Sequence, residues 1–348
     1  MVSIIEKRKI DHLNLCTKKN VAFPTKTTLL EDVELSYKSL PELNLNEIDL
    51  STEFLGKKFS FPFIASAITG GAQVAKKVNL EIAAACQEMG VGMGLGSMRA
   101  MLQQPSLTET YYIRDVAPDI FLAGNIGCAQ LKQFTPEQLN EALNAIEANA
   151  LAIHLNAAQE AVQPEGDADF TGLIQKIAEY ADKISIPVYV KEVGHGISYE
   201  VAFALKETNI KAIDVQGAGG TSWTKVDSLR HKNGFGEIFQ DYGIPTAVSV
   251  INTKHALHGT QKKIIATGGI RNGLEAIKAI ALGADMVGNA MPILKAQQSK
   301  GTKGIVDYLN NFKREMEIAA FLHGCKDINE THQEKPIVLG KLREWLGK

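Results

Sequence analysis

Residues 264–291, IIATGGIRNGLEAIKAIALGADMVGNAM, decide the fold. Ile264, Ile265 and Ala266 form the short apolar run of a buried strand, which breaks at Gly268-Gly269. Leu274, Ile277, Ile280 and Ala281 follow at the spacing of one helical face, and Gly283 closes that helix. A second apolar run, Met286 to Met291, comes next. Strand, glycine turn, helix, glycine and strand make a βαβ unit. The paired glycines let the backbone approach an anion, and the helix start is read as offering N–H groups and a positive dipole end. Arg271 is placed to add a charge-assisted bond. A glycine pair can equally be a tight connector and nothing more. A second glycine-rich loop, Gln216-Gly217-Ala218-Gly219-Gly220-Thr221, together with Arg271 tips the reading to a phosphate site.

Working outward, the same alternation recurs. Strands are expected at Phe61–Ser66, Val91–Leu95, Ile120–Asn125, Leu151–Leu155, Pro187–Lys191, Ala212–Gln216, Ile264–Thr267 and Asp285–Asn289. Helix signals lie between them, such as Thr135-Pro136-Glu137 ahead of Leu139, Leu143 and Ile146. The run from Pro245 to Leu257 reads as a helix opened by proline. Eight strands alternating with helices predict an α/β protein, a (β/α)8 TIM barrel, with its active site at the strand C-termini. Residues 1 to about 50 read as a polar, loop-like N-terminal extension, with a small β-prone run near Val33 to Tyr37; residues 51–348 read as the barrel.

Composition narrows the function. A net charge of −2 gives no reason to expect nucleic acid or an anionic membrane as a bulk partner, so any anion site is local. No apolar run approaches a bilayer span and no secretion signal is evident. Cys16, Cys86, Cys128 and Cys325 are scattered in neither a zinc nor a disulfide pattern, which suits a reducing, cytoplasmic compartment.

Polar residues cluster after the expected strands. Lys191 ends IPVYVKE, where a buried ammonium is costly without a partner; it either reaches solvent at the barrel mouth or faces a cofactor ring. HLNAAQE, His154 to Glu160, supplies an imidazole, two amides and a carboxylate. Those groups suit a polyanion, and Glu160 offers a hard oxygen for magnesium, while His154 could equally be a satisfied core histidine. Arg8-Lys9 with His12 is either a solvated cluster or a cationic lid.

Together ITGG at 68–71, GLGSMR at 94–99, HLNAAQEAVQPEG at 154–166, VKEVGHG at 190–196, GAGGTSW at 217–223 and ATGGIRNGLEAIKAIALGAD at 266–285 resemble the type 2 isopentenyl-diphosphate isomerases. The resemblance spans nearly the whole chain, and Arg8-Lys9-x-x-His12 fits it too. It implies a barrel that binds FMN, active in its reduced form with NAD(P)H as reductant, and Mg²⁺. A small-molecule diphosphate is the implied substrate, isopentenyl diphosphate interconverting with dimethylallyl diphosphate, in a homo-oligomer (tetramer or octamer). Carried onto this chain, Ser66, Ala67, Ile68, Thr69, Ser97, Asn125, Lys191, Thr221, Gly269, Ile270, Arg271, Ala290 and Met291 would bind the cofactor. Arg8, Lys9, Ser97, Met98, Arg99, His154, Asn156 and Gln159 would face the substrate, with His154 and Gln159 the catalytic candidates and Glu160 the metal ligand. Ile68 stands where methionine is usual, and Gln216 where many members have a small hydroxyl residue near the flavin. An FMN-dependent hydroxy-acid oxidase would carry a histidine base in an SNHG run after the sixth strand; this chain has Gln216-Gly217-Ala218-Gly219. A non-catalytic phosphate-binding barrel would keep the grip and lose the HLNAAQE cluster, which is present.

Overall fold

A computed structural model describes residues 4–231 and 234–347, with side chains from residue 11 onward. Eight parallel strands close into a barrel. They are β1 (Phe63–Ala65), β2 (Gly92–Gly94), β3 (Leu122–Gly127), β4 (Ala150–His154), β5 (Val188–Lys191), β6 (Ala212–Asp214), β7 (Lys263–Ala266) and β8 (Met286–Asn289). Each falls within or beside its expected run, and β8 pairs with β1 through Val287 and Phe63 to complete the ring.

Period-two alternation sorts each strand into an outer and an inner face. Outward residues such as Ala65, Val190, Ile213 and Ile264 join the main apolar core under the helices. Inward residues form a second cluster: Ile64, Ala123, Ala152, Tyr189, Ala212 and Ile265 inside the lumen. Below them a hairpin, Thr52–Phe54 paired with Lys57–Phe59, closes the N-terminal end of the barrel. Phe54 meets Phe121 edge-on at 5.5 Å and 74°, and Phe59 completes the plug.

The helix after β3, Pro136–Ala145, starts in a full capping box between Thr135 and Gln138. Thr246–Ala256 is helical as expected, with Pro245 in the cap position. In Gly273–Leu282 the buried face is Ala276, Ile277, Ala279 and Ile280, whereas Leu274 is 46% exposed and does not belong to it.

The N-terminal segment corrects the sequence reading. Ile4–Lys18 is a helix, not a loop. Among its described side chains only Leu13, Leu15 and Cys16 pack on the core, a stripe too narrow to stand out among charges. Val21, Leu29, Leu30, Val33, Leu35 and Leu50 share the barrel's core, and Val33–Glu34 pairs antiparallel with Ile337–Val338.

Candidate active site

Two residues above the apolar lumen layer, every one of six strands changes character. Ile64 is followed by Ser66, Ala123 by Asn125, Ala152 by His154, Tyr189 by Lys191, Ala212 by Asp214 and Ile265 by Thr267. Alternation sends these polar side chains into the same lumen, at its C-terminal mouth. A cavity of about 830 Å³ opens above them. Its walls include Ser66, Asn125, His154, Lys191 and Thr267 of that layer (but not Asp214), Gln159 and Glu160, the two glycine loops, Ala290–Met291, and His12, Leu13 and Cys16 to Ala22 of the N-terminal segment.

The glycine loops pack backbone on backbone. Gly268 and Gly269 hold φ of +93° and +81°, and a Cβ on Gly269 would lie 2.7 Å from the Gly219 carbonyl carbon. Arg271 ties the loops together, donating to the Gly269 carbonyl at 3.1 Å and the Gly219 carbonyl at 2.8 Å. The following helix start is not open to an anion, contrary to the sequence reading. Asn272 accepts from the Glu275 N–H, Glu315 from the Gly273 N–H and Glu275 from the Arg271 N–H, each at 2.8 Å. An uncapped helix start does border the cavity, at Ala290–Met291, where Ala290 provides no side-chain cap. The glycine turn and that second helix start therefore border the same cavity, an arrangement suited to an anion.

Hydrogen-bond logic orients the side chains. Asn125 donates its amide N–H to the Leu95 carbonyl at 3.0 Å, so its oxygen faces His154 Nδ1 at 2.8 Å, and that nitrogen carries the proton. Gln159 donates Nε2–H to Asp227 at 3.0 Å, which leaves the amide oxygen as its other end. Asp227 is fully buried and also takes Gln163 Nε2–H at 2.8 Å and His12 Nε2 at 3.4 Å. These hydrogen bonds outweigh burial and hold its carboxyl below the usual range. Glu160 accepts from Asn156 Nδ2 and from the Asp167 N–H, both at 2.7 Å. Burial raises the Cys16 thiol to about 12, so this cavity-lining cysteine is no nucleophile.

A model of the FMN-dependent dehydrogenase family matches residues 3–106 and 125–337. An isopentenyl-diphosphate delta-isomerase from Methanosarcina mazei is 44% identical, over 99% of this chain and 95% of that one. Proteins of the same name from Thermococcus kodakarensis and Pyrococcus abyssi are 43% and 41% identical, each over 97% of this chain and 93% and 94% of theirs. The chain belongs to the isopentenyl-diphosphate delta-isomerase family. A mandelate oxidase structure superposes with a TM-score of 0.69 at 17% identity, over 97% of this chain and 99% of that one, which speaks for the fold alone.

Of the residues that the isomerase-family resemblance implies, the cavity gathers Ser66 to Thr69, Ser97, Arg99, Asn125, His154, Asn156, Gln159, Glu160, Lys191, Thr221, Gly269 to Arg271, Ala290 and Met291. Met98 is not among them. It is fully buried, with its sulfur packed near Gly124, because the turn after β2 sends it inward to the core. Arg8 and Lys9 lie outside the described side chains. Sequence reasoning missed Asp214 and Asp227. Asp214 had a signal, an acid inside the apolar run AID; Asp227 had none.

The lining fits FMN. Ser66 Oγ, Thr69 Oγ1 and Asn289 Oδ1 are buried at the cavity without a protein partner among the described residues, so a polar ligand completes them. For Mg²⁺, no group of three or more acidic, histidine or cysteine side chains forms a cage among the described residues. Glu160 offers a single carboxylate, which would suit Mg²⁺ held otherwise by water and substrate phosphate. No helix among the described residues is long and apolar enough to cross a membrane.

Proposed function

We propose that this chain interconverts isopentenyl and dimethylallyl diphosphate, with FMN seated on the polar layer of the lumen. The observation that carries the reading is the meeting, in one cavity, of a phosphate grip (Gly269 to Arg271 with Ala290–Met291) and the cluster His154, Asn156, Gln159 and Glu160. The reaction adds a proton to one alkene carbon and removes one from another, with no net redox change. Reduced FMN, kept so by NAD(P)H, supplies that proton chemistry at a ring nitrogen when bound.

The side chains bind, orient and exclude water. Arg99, His154 and Asn156 hold the diphosphate, helped by Ser97 and by Arg8 and Lys9 on the N-terminal helix. Residues 1–50 act as an extension over the mouth of the 51–348 barrel, and the His12–Asp227 contact at 3.4 Å supports that seating. Gln159 presents its amide oxygen to the alkene end, because Asp227 occupies its NH₂ group. A neutral acceptor there orients a proton without adding charge. Glu160 binds Mg²⁺, which masks the diphosphate charge. Ser66 to Thr69, Asn125, Lys191 and Thr221 line the flavin. The exposed Phe235, Ile238 and Tyr242 offer apolar surface for a homo-oligomer of four or eight copies. Four buried cysteines without a disulfide support a cytoplasmic setting.

The test is direct. Extracted chromophore should have the mass of FMN, and the protein with FMN, NADH and Mg²⁺ under anaerobic conditions should turn isopentenyl diphosphate into dimethylallyl diphosphate. Recovery of FAD, or a reduced protein that forms no product, contradicts the proposal.

A further inference from the structure

Asp214 has no task in the account so far. Its side chain is 4% exposed, in the polar lumen layer, and register sets it opposite Lys191 on β5 and Ile265 on β7. A buried carboxylate is costly unless it is paired. Thr267 Oγ1 donates to it at 2.5 Å, while the Gln216 backbone N–H and Gln216 Nε2 approach only to 3.4 Å. One good bond and two long ones leave a full charge under-compensated. Lys191 is in the mirror position. It is 5% exposed, and its ammonium donates at 2.7 Å to the neutral Glu192 carbonyl. Two opposite charges thus end neighbouring strands on the same face, each with partners too weak to account for it alone.

Gln216 adds a second thread. It lines the cavity with a φ of +37°, a left-handed conformation that is uncommon for a side chain of its size. Both of its contacts to Asp214 help hold it there. Thr267, the third group on Asp214, also lines the cavity.

We propose that Asp214 is a positioning residue for the cofactor end of the cavity: its carboxylate keeps Lys191 an ammonium and pins Gln216 and Thr267 beneath the ligand. The inference rests on the FMN reading of that cavity, since an ammonium fixed there favours a ring that gains negative charge on reduction. Burial alone lowers the Lys191 pKa, and Asp214 opposes that fall ahead of Glu192. Burial lifts the Asp214 carboxyl to about 6, and Lys191 is the first of the groups that restrain it. Among the described residues, the ionisable groups that act on Asp214 both come from β5: Lys191, and Tyr189, whose buried phenol is pushed up. The Glu192 carboxylate is turned to the N–H groups of Val193, Gly194 and His195. The β6 and β7 neighbours Gln216 and Thr267 are neutral.

Two measurements test it. In the FMN-loaded protein, the flavin midpoint potential of Asp214→Asn should show a pH-dependent break below the ordinary lysine range, as the unsupported Lys191 loses its proton. The wild type should lack the break, and so should Asp214→Asn combined with Lys191→Met. Parallel potential–pH lines for all three overturn the proposal. Thermal unfolding of Lys191→Met needs neither FMN nor activity, and it decides the matter if Asp214→Asn does not fold. A carboxyl raised in the folded state costs stability as pH climbs from its unfolded value to its folded one, and the cost is complete above that. In the wild type this cost is complete not far above pH 6. Without Lys191 the Asp214 carboxyl rises further, so the melting temperature should keep falling, relative to wild type, over the interval above about pH 6. A melting temperature that tracks the wild type across that interval overturns the pairing. If instead no FMN binds while Lys191→Met behaves as stated, the flavin reading fails and the charge pair stands.

Discussion

The two ends of the barrel lumen are built from the same strands and differ by two residues of register. At the closed end Ile64, Ala123, Ala152, Tyr189, Ala212 and Ile265 pack over Phe54, Phe59 and Phe121. At the open end the next inward positions are Ser66, Asn125, His154, Lys191, Asp214 and Thr267. The closed end contributes burial and rigidity. The open end accepts buried polar groups, some with no protein partner among the described residues, which a fold selected for stability alone would avoid. The lesson is that stability and chemistry occupy successive layers of one strand set, so substitutions in the two layers should separate cleanly.

The largest effect belongs to the closed end. Phe121→Ala removes the ring that meets both Phe54 and Phe59 and should cost about 3–5 kcal/mol of unfolding free energy in denaturant titrations. FMN affinity of the folded fraction should stay near wild type. Loss of FMN affinity at constant stability would erase the distinction between the layers. At the open end, Arg271→Ala unties the glycine loops and removes a cation at the proposed phosphate grip. A loss of about 1.5–3 kcal/mol is expected, hence roughly tenfold or more in FMN dissociation constant by fluorescence titration. Unchanged FMN binding would move the phosphate elsewhere.

Within the open end, Gln159 and Glu160 sharpen the comparison further. Gln159→Ala should lower kcat by roughly tenfold with the Mg²⁺ titration unchanged, on the scale of one hydrogen bond of about 1–1.5 kcal/mol. Glu160→Gln should shift the Mg²⁺ titration and weaken substrate binding together, partly recovered at high metal. If the two variants lose rate equally and neither moves the Mg²⁺ curve, the division between metal and proton work is wrong. The smallest effect lies outside the lumen. Thr135→Ala breaks the capping box and should cost about 1 kcal/mol of stability, leaving FMN and Mg²⁺ titrations untouched.

How much of this was legible in the sequence follows from the range of the forces involved. The eight strands were, because a buried strand is a local apolar run and its glycine boundaries are local too. The Thr135 cap was, since cap and partner stand three residues apart. The helix at 4–18 was not, because its core-facing stripe is narrow. Leu274 was misassigned to the buried face, since spacing gives a helix's period but not its rotation against the sheet. The closure of the helix start at Gly273 was out of reach as well. It depends on Glu315, 42 residues away, and no local pattern announces such a pairing. The same holds for Asp227, which meets His12 across 215 residues. Family motifs located the polar residues, but only the fold reveals which buried carboxylates hold them.

The central claim is that the open layer runs an isomerisation with no net redox change. The most direct measurement counts product per reduced flavin. The FMN-loaded protein is reduced anaerobically with one equivalent of dithionite, with no NAD(P)H present, and given excess isopentenyl diphosphate and Mg²⁺. Dimethylallyl diphosphate should accumulate to many molecules per flavin while the flavin stays reduced. Product limited to one molecule per flavin, or flavin reoxidised in step with product, would contradict the account.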